Sequence, residues 1–333
     1  MILLFYLRKI LHSVLKYFEQ SVFRIIGANL YTQLRFLKCD PYFISFFKKR
    51  PSPVQIYNLD GHKYTCGFAD RLRGIISIYA WAKANELPFR INHETPFHLE
   101  DYLVPNKIDW QLKENELSYN VIYSNPIVMM DYTKGKRLPF LCKKRQHHFY
   151  ANINALPIIN EHYKKNYSYT ELFQELFKPS CKVSNALEPY SKYIDEGYIS
   201  ISFRFMQLMG DFVDVCGSTL DECGREKLVK DCMKFVTSLH EKHLDIKYVL
   251  VTSDSETFID IVKKLPFVFV IPGKIGHIGF NSDADATLKM IIDFLMISRA
   301  KKAYMGYTGQ MYKSHFAESA AEITGIPYES VNF

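Results

Sequence analysis

The chain lacks most of the signatures that assign a protein quickly. None of its seven cysteines forms a C-x-x-C pair; Cys216, Cys223 and Cys232 stand seven and nine residues apart. Zinc fingers and ribbons are thereby excluded. An odd number of scattered thiols in 333 residues fits a reducing compartment rather than a disulfide framework. There is no G-x-G-x-x-G fingerprint and no phosphate loop ending in G-K-[ST]. A membrane-spanning helix needs about 20 predominantly apolar residues. Within the first 50 residues the longest uncharged run, Ile25 to Leu34, has ten. A secretory signal is equally poorly matched, because Arg8, Lys9 and Lys16 interrupt the apolar stretch and no small-residue cleavage site follows. Internal repeats and low-complexity tracts are absent as well.

Charge is also missing from most of the chain. The formal net charge is +7, but residues 1–50 alone hold nine basic and two acidic residues. The remaining 283 carry 33 of each sign. A uniformly basic nucleic-acid-binding body is therefore excluded, since its charge would sit on the folded domains. The lead segment reads instead as an amphipathic helix, with Ile10, Leu11, Val14, Leu15, Phe18, Val22 and Ile25 recurring at three- and four-residue steps between basic residues. Such a helix can lie on an anionic membrane surface or pack on the body with its basic face solvated.

An apolar fraction of 48% with 23% charged residues describes an ordered globular chain. The 25 Phe and 23 Tyr can fill cores, and aromatic side chains of this kind also line carbohydrate sites. Length favours about two domains. After Pro51 and Pro53, Val54–Leu59 reads as a strand, and Cys66-Gly-Phe-Ala-Asp-Arg-Leu-Arg-Gly74 as a glycine turn into a helix. Leu72, Ile75, Ile76, Tyr79 and Ala80 form that helix's inner face, and Pro88–Ile91 is the next strand. Strand, turn, helix, strand is a βαβ unit. Prolines break residues 92–165 into short pieces, with strands expected at 121–123 and 148–151.

From Tyr198 onward strands and helices alternate. Strands are predicted at 198–203, 248–252, 267–271 and 303–305, with a capping box at Thr219–Glu222 and a cap at Ser282 or Asp283 opening the longer helices. The domain plan is a basic lead segment at 1–50, a first α/β domain at 51–195 and a second α/β domain at 196–333.

Ligands on doubly wound sheets bind outside the carboxyl ends of strands, so residues there are candidates. Ser202-Phe-Arg204, with Gly210-Asp211, ends the first strand of the second domain. Arg204 offers a planar fork of donors suited to a diphosphate, or simply pairs with Asp211. Asp254 and Ser255 end the next strand, where they serve a nucleotide's base or ribose, or cap a helix. Thr308-Gly309-Gln310 follows the last predicted strand and reads as the opening of the last helix, a place where backbone N–H groups meet anions. Gly67, Asp70 and Arg71 occupy the same kind of position in the first domain. His277 lies in a glycine-flanked loop.

In their order these motifs resemble the GDP-fucose-dependent fucosyltransferases of the GT-B fold. The relevant groups are the bacterial nodulation enzyme, the core α1,6-fucosyltransferase and the protein O-fucosyltransferases. Gly67–Gly74 looks like their G-x-G-[ND]-[RQ] loop, Ser202–Asp211 like their H-x-R-x-G-D motif and Thr252–Ser255 like their T-D-[DS] turn. Asp293 with Ser298-Arg-Ala300 and the Thr308-Gly309 turn looks like their C-terminal segment. The chain departs at Ser202, where the family has His, and in the longer spacing from Arg204 to Gly210. It also has Phe68-Ala69 where the family often has a second Gly.

The resemblance implies two Rossmann-like domains facing a cleft and a metal-independent, inverting transfer of fucose from GDP-fucose to a glycan hydroxyl, with no cofactor beyond that donor. It implies that Arg204 holds the diphosphate, that backbone at Thr308–Gln310 assists and that Asp254 reads guanine or ribose. Asp70 and Arg71 would face the donor. An inverting step needs a base; Asp211, Asp214, Asp70 and Glu94 are open choices, with Asp211 favoured. The expected setting is cytoplasmic, peripheral on the inner membrane face through residues 1–50, in surface polysaccharide or lipopolysaccharide synthesis. A different donor sugar, or a non-catalytic glycan-binding scaffold, are the competing readings.

Overall fold

The computed structural model describes residues 42–46, 49–61, 67–130, 138, 144–211, 219–275 and 283–333. Most of the lead segment expected over 1–50 lies outside these, as do Asp214 and His277. Two compact units are formed, one from residues up to Thr95 with Pro105–Ser168, the other from Pro96–Val104 with Tyr169–Phe333. Each is an α/β domain around a parallel sheet, and together they are the two Rossmann-like domains of a GT-B-like fold.

In the first unit, β1 (Gln55–Leu59) leads to α1 (Phe68–Ala84) and β2 (Phe89–His93). A short strand, β3 (Leu103–Pro105), joins the second unit's elements. Then come β4 (Ser124–Met129), β5 (Gln146–Ala151) and α2 (Leu156–Tyr163). The sheet order is β2-β1-β5-β4, all parallel. The predicted inner face of α1 is buried, and Ile78 and Trp81 are buried too, so the helix is covered nearly all round. Each such large side chain contributes about 1.5–3 kcal/mol of burial free energy. α1 rests so closely on β5 that a Cβ at Gly74 would lie 2.1 Å from the Ala151 carbonyl oxygen. Only glycine fits there. Trp81 Nε1 donates to Tyr163 Oη at 2.9 Å, tying α1 to α2.

The strand expected at 121–123 is instead a turn, and β4 begins at Ser124. Asn120 causes this: its side chain accepts the Ile122 N–H (3.2 Å) and its carbonyl accepts those of Tyr123 and Ser124. Such an Asx-stabilised turn outcompetes the strand preference of Val121 and Ile122. Tyr42, placed in the lead segment by the sequence, is 1% exposed and bonded to His148 and Tyr150, while Phe43 bridges to Asn120. The body therefore begins before Pro51.

The second unit opens with α3 (Tyr169–Leu176), β6 (Phe177–Pro179), α4 (Cys181–Leu187) and α5 (Ser191–Glu196). These begin before residue 196 in sequence but group with the later chain. The reason is local pairing: β6 lies beside β3, and Ser180 bonds to the backbone oxygens of Asp101 and Tyr102. The unit continues through β7 (Tyr198–Phe203), α6 (Glu222–Lys242), β8 (Tyr248–Ser253), α7 (Glu256–Val262) and β9 (Val268–Phe269). It ends with α8 (Ala284–Ile297), β10 (Lys302–Tyr307), α9 (Phe316–Glu322) and β11 (Tyr328–Asn332). The sheet order is β11-β10-β7-β8-β9, all parallel. The central strand β7 is buried at every position, as a doubly covered strand must be. Phe203, Phe235, Val249, Val251 and Phe258 fill one side of the sheet.

Three local expectations are corrected here. The cap of α6 is Asp221, whose carboxylate accepts the Gly224 N–H at 2.8 Å, not Thr219. A fifth strand, β11, extends the sheet where the sequence was read only to the preceding helix. And α9 starts at Phe316, so Thr308–Gln310 is a turn separated from any helix start.

Candidate functional site

Strand order singles out one place on the second sheet. From β7 the chain moves toward β8, whereas from the neighbouring β10 it moves the other way, to β11. Loops leaving adjacent strands in opposite directions open a crevice at their carboxyl ends, where α/β sheets hold ligands. Two segments flank that crevice: Arg204–Asp211 after β7 and Thr308–Tyr312 after β10. A backbone bond joins them, from Tyr312 N–H to the Arg204 carbonyl (3.1 Å).

Arg204 is held in a built turn. The Asp254 carboxylate, 8% exposed, reaches across from the end of β8. Its Oδ1 accepts the Phe205 N–H at 2.7 Å and its Oδ2 accepts the Met206 N–H at 2.8 Å. Oδ2 also meets Arg204 Nη1 at 3.0 Å. Met206 has φ +55, a left-handed conformation unusual for a residue with a side chain. The two charge-assisted bonds to Asp254 offset that strain. Burial pushes the Asp254 carboxyl above its ordinary pKa, opposed by the Arg204 charge and the two N–H donors. Beneath the turn, Ser202 Oγ and Thr252 Oγ1 bond at 2.7 Å across β7 and β8. Ser202, which stands where the resemblance has His, is thus engaged within the sheet.

Both Asp254 oxygens serve the turn after β7, where they meet the Phe205 and Met206 amides and the Arg204 guanidinium. Ser255 is 1% exposed and caps α7 through Phe258 N–H (3.1 Å). Arg204 itself is half-buried, with 21% of its side chain exposed, at the mouth of the crevice. Its guanidinium has five N–H donors in a planar fork.

Thr308, Gly309 and Gln310 form the facing turn, closed by Met311 N–H to the Thr308 carbonyl at 3.0 Å. Gly309 has φ +56 with open space around it. This turn approaches Arg204 through Tyr312, but no helix dipole backs it. Asp211 is exposed and accepts a 2.6 Å hydrogen bond from Thr257 Oγ1. It is not paired with Arg204.

Gly67, Asp70 and Arg71 belong to the first unit. Gly67 is the N-cap position of α1, and Asp70 accepts its N–H at 3.3 Å and pairs with Arg73 at 2.8 Å. Arg71 is 4% exposed and reaches the Thr95 carbonyl at 3.3 Å. Glu94 is exposed at the end of β2.

Two buried constellations were not anticipated, although Asp293 of the first had been singled out by resemblance. Lys289 and Asp293, 8% exposed each and one helical turn apart on α8, pair at 2.5 Å. Asp293 Oδ1 has no hydrogen-bond partner, and burial pushes this carboxyl upward against the pull of Lys289. The four-residue spacing was the available signal. The second, around Asp60, had no sequence signal, since its members come from five separate segments. Among the described residues, no group of three or more His, Cys, Asp or Glu stands where it could hold a metal ion. Nor is any described helix long and apolar enough to cross a membrane.

No protein-family model and no curated protein sequence matches the chain. Solved structures do. A NodZ α-1,6-fucosyltransferase co-crystallised with GDP superposes with a TM-score of 0.50 at 14% identity, over 82% of this chain and 92% of that one. The same enzyme soaked with GDP-fucose gives 0.51 at 14% identity, over 81% and 92%. Fucosyltransferase NodZ from Bradyrhizobium gives 0.50 at 13%, over 82% and 92%. The chain thus shares, across most of its length, a two-domain fold used by nucleotide-sugar-dependent glycosyltransferases.

Proposed function

We propose that the chain is a glycosyltransferase that moves fucose from GDP-fucose to a glycan hydroxyl with inversion at the sugar carbon. The observation that carries this reading is the Arg204 turn at the β7–β10 crevice, built by Asp254 and joined to the Thr308–Tyr312 loop. An arginine fixed there suits a diphosphate, because its planar donors match phosphate oxygens. As the glycosidic bond breaks, negative charge grows on the departing GDP, and a guanidinium already in position stabilises it without reorganisation. The acceptor oxygen forms the new bond to the sugar carbon while its proton passes to a carboxylate. Asp211, exposed beside Thr257, is the candidate for that role on this unit. The likeness in fold to NodZ structures obtained with GDP and GDP-fucose supports the choice of donor. The setting proposed is a cytoplasmic one, with the basic lead segment against anionic lipid and a surface glycan as acceptor.

Differential scanning fluorimetry with GDP, UDP and ADP tests the donor. GDP raises the melting temperature of the wild-type chain and the others do not. In Arg204→Ala the GDP shift and turnover of GDP-fucose are lost while the protein still melts cooperatively, and EDTA leaves wild-type turnover intact. Near-wild-type turnover in Arg204→Ala refutes the assignment.

A further inference from the structure

At the carboxyl end of the first unit's sheet a chain of buried polar side chains converges on one half-buried carboxylate. Asp60 directly follows β1. Its Oδ2 accepts hydrogen bonds from Asn58 Nδ2, Tyr119 Oη and Tyr150 Oη, each at 2.9 Å. Asn58 is held in turn by Asn92 at 2.7 Å. Tyr150 contacts Tyr42 Oη at 3.0 Å, and Tyr42 contacts His148 Nδ1 at 2.9 Å. Asn58, Tyr42, His148 and Tyr150 are at most 1% exposed. Burying this many polar groups is costly unless all are paired, and an apolar core would be cheaper. The expenditure lies where parallel sheets bind ligands.

Proton counting shows what the network is able to accept. Gln146 is oriented by backbone: Oε1 accepts Ser118 N–H at 2.9 Å, and Nε2 donates to the Glu116 carbonyl at 2.8 Å. Oε1 is therefore the atom facing His148 Nε2 at 2.7 Å, so Nε2 carries the ring proton. Burial, with His147 adding to it, holds His148 at a pKa of about 3, so the ring is neutral. Nδ1 then accepts the proton of Tyr42. Having given that proton, Tyr42 can only accept from Tyr150. The single phenolic proton of Tyr150 thus has two takers, Tyr42 Oη and Asp60 Oδ2. Rotating it toward Tyr42 takes one donor away from Asp60, and a ligand hydroxyl can supply the replacement with no buried group left unpaired. Tyr119 completes the setting. Burial and the Asp60 charge raise its phenol, so it stays a donor, and its ring packs edge-on against Tyr42 and His148 at 5.1 and 5.3 Å. A carboxylate beside a partly exposed tyrosine ring and hydroxyl suits a polyhydroxylated ligand.

We propose that Asp60, flanked by Tyr119 and Tyr150, is a hydroxyl-binding subsite for a saccharide, the acceptor of the transferred sugar. The subsite rests on the transferase reading only for the word acceptor. The test uses the full-length chain, Asp60→Asn and Tyr119→Phe, with saturation-transfer NMR against galactose-, glucose-, mannose- and N-acetylglucosamine-terminated oligosaccharides. GDP thermal shifts are measured on the same samples. Saccharide affinity falls about tenfold or more in Asp60→Asn and about threefold in Tyr119→Phe, the losses expected for hydrogen bonds to a charged and a neutral group. The GDP shift is unchanged in Tyr119→Phe, which keeps the buried network even if Asp60→Asn folds poorly. Equal saccharide affinity in a folded variant and wild type overturns the proposal, as does absence of saccharide binding to the wild type at millimolar concentration. A wild type that binds saccharide through Asp60 but gives no GDP shift counts against the transferase reading alone.

Discussion

Asp254→Asn is the sharpest probe of the Arg204 turn. The amide keeps the shape of the side chain but turns one acceptor oxygen into an NH₂ donor. Whichever way it lies, the N–H of Phe205 or of Met206 then faces a donor, where each now bonds at 2.7 or 2.8 Å. Losing a charge-assisted bond costs about 1.5–3 kcal/mol. Arg204 also loses its bond to Asp254, but with 21% of its side chain exposed it can turn toward water, so that loss adds only about 1 kcal/mol. Removing the charge relieves the burial cost that raises the Asp254 carboxyl, which trims the total. The net is about 2–4 kcal/mol of stability. For a domain of about 150–250 residues this lowers the melting temperature by roughly 4–16 °C. The second consequence is functional. With one of its two anchors lost, the φ +55 conformation at Met206 relaxes, Arg204 loses its fixed direction, and GDP binding weakens about tenfold, the effect of one misplaced charge-assisted bond. Thermal melts and isothermal titration with GDP read both effects. A variant that melts early yet binds GDP like wild type refutes the positioning role. One that matches wild type in both refutes the geometry itself.

Two further outcomes follow from the first unit. His148 and His147 are held at about 3 and about 4 by burial, with His147 and Arg145 respectively adding to it. Both lie below the ordinary value of about 6.5, so the folded chain binds these protons less tightly than the unfolded one. The stability concerned is present above that value and is lost as pH falls through it toward 4. At pH 5.5 each histidine costs about 1.4 kcal/mol, so melting temperature drops between pH 7 and 5, and His147→Gln flattens the drop. A pH-independent melt contradicts the assignment. Truncation after Asp40 separates membrane contact from folding: it removes flotation with anionic vesicles at low salt while leaving Tyr42 in place. Truncation after Arg50 in addition lowers the melting temperature, because Tyr42 leaves the network around His148 and Tyr150. Persistent flotation of the shorter deletion rules out the lead segment as the membrane contact.

Much of this architecture is written in one dimension. Alternating apolar runs and caps such as Ser255 and Asp283 mark strands and helices because they act within a few residues of themselves. Both βαβ patterns and the importance of the residue after the first strand of each pattern follow from periodicity and the carboxyl-end rule. Arg204 was legible on that ground. What the sequence could not assign is partnership. Asp254 was equally suited to a cap, a ribose or a guanidinium, and only the register of β8 beside β7 sets its carboxylate against the Phe205 and Met206 amides. Thr308–Gln310 looked like a helix start because small residues serve turns and helix starts alike, and contacts beyond the turn decided between them. Asp60 was silent in the sequence. Its partners Tyr119 and Tyr150 stand 59 and 90 residues away, and parallel pairing of β1 with β5 is what brings Tyr150 beside it. Local propensity depends on neighbours in the chain, and so the sequence by itself determined the elements. Hydrogen bonding between distant segments depends on sheet order and register, and so the tertiary structure alone decided which charges meet.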